Sequence, residues 1–158
     1  EDTLLNKYRK KISPLHIPND YYQAVIDGME MVVTNGTARN AAIDGFAVCA
    51  KTGTVENAYR GEKLKDHAFF GAFAPRENPR IAIAVMCENA GYGATSAAPI
   101  ASLLIEKYLR DSIAGPERKA KIEQLSNMNL IPPQMKRLMK PEPNTIKKEN
   151  IKKAIAKN

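Results

Sequence analysis

The sequence predicts an α+β fold in which an antiparallel sheet, with three strands in this chain, is flanked by helices. Three strand-like runs, residues 46–54, 68–74 and 81–87, follow one another along the chain. The last two are joined by residues 75–79, a short Pro-bounded linker of hairpin type. Apolar residues at helical spacing occur before the first run and after the third. The order helix, strand, strand, strand, helix therefore favours one antiparallel sheet with helices packed beside it.

The first helix is predicted to begin at Asn19 or Asp20, because either side chain is a suitable N-cap. Gly36 is the expected stop. The apolar residues at helical spacing are Tyr22, Val25, Ile26, Met29, Val32 and Val33. We expect this face to pack against the core, and no chemistry is apparent on the helix.

The strands and the segments between them differ in polarity. Residues 81–87 are apolar at both odd and even positions, so we expect both faces of this strand to be covered. Residues 55–67 are polar and are predicted to form a loop. A three-stranded sheet this apolar would have open edges by itself. The sequence therefore predicts a domain whose first part lies outside it.

A second long helix is predicted over residues 96–109, after the Gly-rich stretch 88–93. Pro99 falls near its first turn, where proline is tolerated. The predicted apolar stripe of this helix consists of Ile100, Leu103, Leu104 and Tyr108.

The net charge of +7 is concentrated in the last part of the chain. Residues 1–115 contain 13 Lys and Arg and 13 Asp and Glu, whereas residues 116–158 contain 11 and 4. We predict one folded part, residues 1–115, and a basic, Pro-interrupted tail, residues 116–158, that is partly helical or disordered. Short helices are candidates over residues 117–130 and 146–156. The tail has no stacking aromatics among its charges, which argues against nucleic acid and leaves a solvated extension or a membrane-surface contact.

The cysteines and histidines give no sign of a metal site or a cofactor. Cys49 and Cys87 lie in apolar strand-like runs and are interpreted as small buried hydrophobic residues. His67 follows Asp66, but sequence neighbours rarely form a base with an orienting carboxylate, so a structural role at a strand end is favoured. His16 lies in a Pro-bounded loop with no motif around it.

The candidate site is the run Lys51-Thr52-Gly53-Thr54 at the end of the first strand. Lys-Thr-Gly is the third motif of β-lactamases and penicillin-binding proteins. A lysine and hydroxyl groups can hold a substrate carboxylate, and backbone N–H groups can stabilise a developing oxyanion. Gly53 leaves room for an extended peptide to lie beside the strand. The motif is therefore predicted on an edge strand that faces a cleft.

The surroundings of this motif resemble the class B penicillin-binding proteins. The similar segments are residues 66–75, 77–85 and 88–93, followed by Ala97-Ala98-Pro99-Ile100. The end of the first helix, with Gly28-Met29, Val32-Val33 and Gly36-Thr37-Ala38, is similar as well. The stretch 88–93, together with the Ala97-Ala98-Pro99-Ile100 that follows it, is similar to the elongation type, penicillin-binding protein 2. The resemblance covers about residues 17–111, in order and with the expected spacing.

The resemblance implies part of a penicillin-binding, β-lactamase-like transpeptidase domain. Its activity would be that of a serine D,D-transpeptidase that cross-links peptidoglycan stem peptides ending in D-Ala-D-Ala and is a β-lactam target. Lys51 would supply charge and a link to the serine of the Ser-x-Asn motif, and Thr52 and Thr54 would bind the substrate carboxylate. The backbone N–H of Thr54 would be one half of the oxyanion hole. Candidate residues lining the cleft are Glu56, Asn57 and Tyr92.

The chain departs from the family in its serines. These are Ser13, Ser96, Ser102, Ser112 and Ser126, and none begins a Ser-x-x-Lys or a Ser-x-Asn motif. In the family both motifs lie N-terminal to the similar segment. We therefore expect the nucleophile to lie outside this chain, and this chain alone to be inactive in acyl transfer.

Two alternative functions stay open at this point. A related serine β-lactamase or D,D-carboxypeptidase would share the Lys-Thr-Gly strand, and a non-enzymatic scaffold would bind a partner through the basic tail. The resemblance also implies a parent protein anchored in the cytoplasmic membrane, with this domain on the periplasmic side. A SEDS-type glycosyltransferase would be its expected partner, and no cofactor or metal is implied.

Overall fold

The structure, a computed structural model, describes residues 16–133 and residue 136. Its helices are α1 (Asn19–Thr34), α2 (Ala97–Arg110) and α3 (Pro116–Ser126), with a 3₁₀ turn at Arg39–Ala41. Its strands are β1 (Cys49–Val55), β2 (Ala58–Tyr59), β3 (Glu62–Lys63), β4 (His67–Ala74) and β5 (Ile81–Cys87). The predicted helix over residues 146–156 lies outside the described residues. No helix in the described part is long and apolar enough to span a bilayer.

The main sheet is antiparallel, with strand order β1-β4-β5, which confirms the predicted α+β fold. Lys51 is paired with Gly71, and Phe70 with Val85. The prediction of a loop over residues 55–67 is partly wrong, because β2 and β3 form a small hairpin within this region. Arg60 and Gly61 at its tip have φ values of 51° and 83°, as a type I′ turn requires.

Helix α1 differs from the prediction at its start and in its buried face. It begins after Pro18, and neither Asn19 nor Asp20 acts as an N-cap. Val33 is its buried residue, whereas Tyr22 and Val25 are exposed, so the predicted core face is wrong for the first turns. The physical reason is that the helix packs on β1 with its later turns, whereas residues 19–25 are all exposed.

The end of α1 is held by a charged residue from the β4–β5 linker. Arg76 forms an ion pair with Asp27 at 2.6 Å and another with Glu30. Hydrogen bonds to Glu30 and Asp27 hold the pKa of Arg76 above its ordinary value. The helix ends at Thr34, two residues before the predicted stop at Gly36. These ion pairs fix α1 against the linker on the β1 side of the sheet.

The two faces of the sheet are not equally covered. Along β5 the odd residues are half-buried beneath α2 and the even residues are exposed, so the prediction that both faces of β5 are covered is wrong. Met86, on the open face, is 59% exposed. Because β5 is paired only with β4 in the described part, its other edge is also open.

Helix α2 buries mainly small residues, together with Ile105 and with Leu103 of the predicted stripe. The residues buried on it include Ala97, Ala98, Ala101, Ser102 and Ile105. Leu104 and Tyr108 are exposed, which makes the predicted stripe wrong for these two positions. Leu104 instead lines an apolar groove of about 530 Å³ whose other wall includes Ile122 and Leu125 of α3.

Helix α3 is attached to α2 through a buried carboxylate. Glu106 has no exposed surface, and it forms ion pairs with Arg110 at 3.0 Å and with Arg118 of α3. Arg118 also donates to the Oγ of Ser102 at 2.9 Å. The first helix of the segment predicted as a tail is therefore docked on the domain.

Candidate functional site

Lys51, Thr52, Gly53 and Thr54 lie within β1, and β1 is an edge strand. Its only partner among the described strands is β4. Lys51 and Thr54 are exposed, while Thr52 and Gly53 are half-buried. Since side chains alternate along a strand, Lys51 lies on one face of the sheet, and Thr52 and Thr54 lie on the other. The outer edge of β1 is thus available to an extended peptide.

The segment after α1 contacts the site through two polar side chains. The Oγ1 atoms of Thr37 and Thr52 lie 3.3 Å apart. The Nδ2 of Asn40 donates to the carbonyl of Ala94 at 2.6 Å. Sequence reasoning assigned no role to Thr37 or Asn40. The available signal at Thr37 was the run Gly36-Thr37-Ala38, which resembles the family pattern, but neither this run nor a short polar residue such as Asn40 indicates a role for the side chain.

The Gly-rich loop approaches the strand at Gly93. A Cβ atom at this position would lie 2.3 Å from the carbonyl oxygen of Phe69 and 2.9 Å from that of Gly53. Both neighbours are backbone atoms, so no side chain movement could relieve the contact. Tyr92, the preceding residue, is 70% exposed. Because Gly93 has no side chain, the loop can approach the sheet closely, and this places Tyr92 next to the Lys-Thr-Gly strand.

A hydrogen-bond network fixes the base of the β2–β3 hairpin. The Nδ2 of Asn57 donates to the carbonyl of Lys65 at 3.0 Å and to the Oδ1 of Asn89 at 2.7 Å. The backbone N–H of Asn89 donates to the Nδ1 of His67 at 3.1 Å. Glu56 is exposed and Asn57 is half-buried. Of the predicted lining residues, Asn57 thus has a structural partner, and Glu56 and Tyr92 extend into solvent.

The structural interpretation of His67 agrees with this network. His67 begins β4, and its ring accepts a backbone N–H rather than pairing with Asp66. The Oδ1 of Asp66 is buried without a hydrogen-bond partner among the described residues. His16 is exposed.

The cysteines and described serines offer no activated nucleophile. Cys49 is buried and Cys87 half-buried, both as free thiols, and burial raises the pKa of each thiol above its ordinary value. A raised pKa keeps a thiol protonated and unreactive. Ser96 and Ser102 are buried and hydrogen-bonded to the carbonyl of Tyr92 and to Arg118. The site offers a cation, hydroxyl groups and a strand edge without a described partner, which are groups that can bind a carboxylate and polarise a carbonyl.

An antiparallel sheet with Lys-Thr-Gly on its edge strand defines the class of serine acyl-transferases that includes the β-lactamases and penicillin-binding proteins. Within this class, the penicillin-binding protein transpeptidase domain family matches residues 2–106. The chain belongs to this family.

Two curated relatives illustrate the similarity. The peptidoglycan D,D-transpeptidase MrdA of Haemophilus influenzae is 35% identical over 111 residues, which cover 61% of this chain and 17% of that protein. The stage V sporulation protein D of Bacillus subtilis is 32% identical over 139 residues, which cover 81% of this chain and 21% of that protein. The chain thus spans about a fifth of the length of these relatives.

Solved structures agree with the fold. PBP2 of Pseudomonas aeruginosa in complex with WCK 5153 is 34% identical with a TM-score of 0.52, over 63% of this chain and 21% of that chain. Penicillin-binding protein A of M. tuberculosis, as a ceftriaxone acyl-enzyme complex, is 29% identical with a TM-score of 0.52, over 60% of this chain and 22% of that chain. The transpeptidase reading is therefore favoured over the β-lactamase or carboxypeptidase segment and over the non-enzymatic scaffold.

Proposed function

We propose that this chain supplies the Lys-Thr-Gly strand of a serine D,D-transpeptidase that cross-links peptidoglycan stem peptides ending in D-Ala-D-Ala. The observation that carries the proposal is the position of residues 51–54 on an open edge strand, in a chain of the transpeptidase family. The catalytic serine and its lysine base would come from the part of the protein outside this chain.

The proposed roles follow from the chemistry of the strand. Although its side chain leaves the other face of the strand, Lys51 places its Nζ against the carbonyl oxygen of Thr52. There it attracts the terminal carboxylate of the stem peptide, and the hydroxyl groups of Thr52 and Thr54 donate hydrogen bonds to that carboxylate. The exposed edge lets the peptide lie beside β1 as an added strand. The backbone N–H of Thr54 then donates to the carbonyl oxygen on which negative charge develops, while Gly53 leaves space for the peptide.

The reaction proceeds through a covalent intermediate. The serine oxygen forms an ester bond with the carbonyl carbon of the penultimate D-Ala, and its proton passes to the base. The C–N bond to the terminal D-Ala breaks, and this residue leaves as an amine that takes up the proton. The amine of a second stem peptide then attacks the ester carbonyl carbon and gives a proton to the base. The new C–N bond is the cross-link, the C–O bond to the serine breaks, and the serine oxygen takes up the proton from the base.

The proposed lining residues act in different ways. Glu56 and Tyr92 are exposed beside the strand and extend the surface on which the stem peptide lies. Asn57 shapes this surface indirectly, since its side chain holds the hairpin to Asn89.

The names of the relatives support the remaining parts of the proposal. MrdA is named a peptidoglycan D,D-transpeptidase, and penicillin-binding protein A was solved with ceftriaxone as an acyl-enzyme. We extend this chemistry to β-lactam binding by the complete protein. Its transpeptidase domain would lie on the periplasmic side of the cytoplasmic membrane, with an anchor outside this chain and a SEDS-type glycosyltransferase as partner.

The test mixes this chain with the serine-containing segment of the complete protein, supplied as a separate polypeptide, and a fluorescent penicillin. Intact masses should show an adduct on the serine-containing segment, and only when this chain is present. Lys51→Ala should slow acylation by at least about tenfold, because the carboxylate of the penicillin loses its cation. Lys119→Ala removes an exposed lysine from α3 and should leave the rate unchanged. An adduct on this chain would contradict the proposal.

A further inference from the structure

The segment that follows α3 returns to the hairpin beside the candidate site. Residues 129–133 line one side of a cavity of about 300 Å³, and residues 63–65 with Asn89 line the other. The backbone N–H of Ile131 donates to the Oδ1 of Asn129 at 3.1 Å, so a local bond fixes the bend of this segment. Leu130 and Pro132 are half-buried there. Residues 129–133 thus face the hairpin across this cavity.

The hairpin has few other constraints. Each of its strands has two residues, and all four are exposed. Two-stranded hairpins are marginally stable by themselves. The N–H of Leu64 donates to the carbonyl of Asn57 at 2.9 Å, and Asn57 in turn bonds to Asn89. Leu64 and Asn89 therefore both take part in this connection and line the cavity opposite the C-terminal segment.

We propose that residues 129–133 act as a strap that orders the β2–β3 hairpin and thereby positions the end of the Lys-Thr-Gly strand. Apolar side chains of the strap, Leu130 and Ile131, shield the Leu64 side of the hairpin from water, which disfavours its opening. Because Glu56 and Asn57 join the hairpin directly to β1, an ordered hairpin restricts the backbone next to Thr54. This second step rests on the proposed transpeptidase function, whereas the ordering of the hairpin does not.

The test compares Ile131→Ser with Met128→Ser in the full chain. Both side chains are 42% exposed, but only Ile131 lines the cavity. In hydrogen exchange, Ile131→Ser should speed the exchange of the Leu64 amide by roughly threefold to tenfold, because the hairpin opens more often. Met128→Ser should leave the exchange rate of the Leu64 amide unchanged, and Ile131→Val should keep most of the protection of this amide. Amides of α2 should keep their protection in every variant.

A second measurement tests the positioning step. In the acylation mixture described above, Ile131→Ser should raise the half-saturating penicillin concentration and leave the maximal rate unchanged. Equal Leu64 exchange in both serine variants, or a loss of protection that extends to α2, would overturn the strap. Faster Leu64 exchange with unchanged half-saturation would overturn the positioning step. If the unaltered chain supports no acylation, the proposed function fails, and the exchange result still decides the strap.

Discussion

Gly93 lets the Gly-rich loop approach the sheet because it has no side chain. A Cβ atom there would lie 2.3 Å and 2.9 Å from two carbonyl oxygens of the sheet. Gly28, in contrast, lies within α1 with open space where its Cβ would be. The sequence shows both as single glycines and does not distinguish them, because the difference lies in what approaches from elsewhere in the chain.

We expect Gly93→Ala to lower the free energy of unfolding of this chain by about 1–3 kcal/mol, because backbone atoms must shift to admit the methyl group. Gly28→Ala is the matched control and should raise it by roughly 0.5–1 kcal/mol, since alanine favours a helix interior. Urea titrations followed by circular dichroism measure both. A Gly93→Ala variant as stable as the unaltered chain would show that the loop does not approach the strand closely.

Helix α2 shows how an element can be predicted correctly and oriented wrongly. Its bounds, Ala97–Arg110, lie within one residue of the prediction, because periodicity and Pro99 mark them well. Its buried face was mispredicted because large apolar residues were expected to face the sheet. Small residues such as Ala98 and Ala101 occupy that face instead, where they let the helix approach β4 and β5, and Leu104 lines the groove with α3.

We expect Ala101→Leu to destabilise the chain by about 1–3 kcal/mol, because a fully buried position cannot admit three further carbon atoms without strain. Leu104→Ala, at a position that is 50% exposed, should cost less than about 1.5 kcal/mol. Thermal and urea unfolding of the two variants give the comparison. The opposite ranking would support the stripe that the sequence predicts.

At the scale of the whole molecule, the dominant feature is a sheet whose two faces are unequally covered: among the described residues, α2 covers one face, and α1 covers the other near Cys49. Met86 and Phe69 are exposed on this second face, and beside them lies the edge of β5 that has no partner among the described strands. Exposed apolar surface next to an unpaired strand edge favours association with another chain.

We therefore expect this chain alone to associate as its concentration rises, and Met86→Lys to reduce that association. A charge on the open face is hydrated in the monomer and is disfavoured in a contact. Met128→Lys makes the same change after α3, away from the sheet, and should have little effect. Sedimentation velocity at several concentrations measures the distribution. A concentration-independent monomer would contradict the expectation.

Local sequence patterns were enough to predict most of the fold. Alternation, apolar runs and Pro and Gly positions predicted three strands, their antiparallel order and both long helices, because these signals depend on neighbouring residues. The Lys51–Thr54 motif was recognised for the same reason. The β2–β3 hairpin was missed, since its strands are two residues long and polar. The prediction that both faces of β5 are buried was wrong, because the apolar residues of a strand indicate the burial that the strand has in a complete domain.

The sequence by itself determined the three longer strands, both long helices, the motif and the family resemblance, because each is encoded in contiguous residues. Only the tertiary structure decided which faces are buried, that Glu106 holds α3 through Arg118, and that Gly93 and Thr37 meet the Lys-Thr-Gly strand. These contacts join residues far apart in the chain. Their energies depend on distance, burial and the absence of a side chain at one point in space, and no local pattern records them.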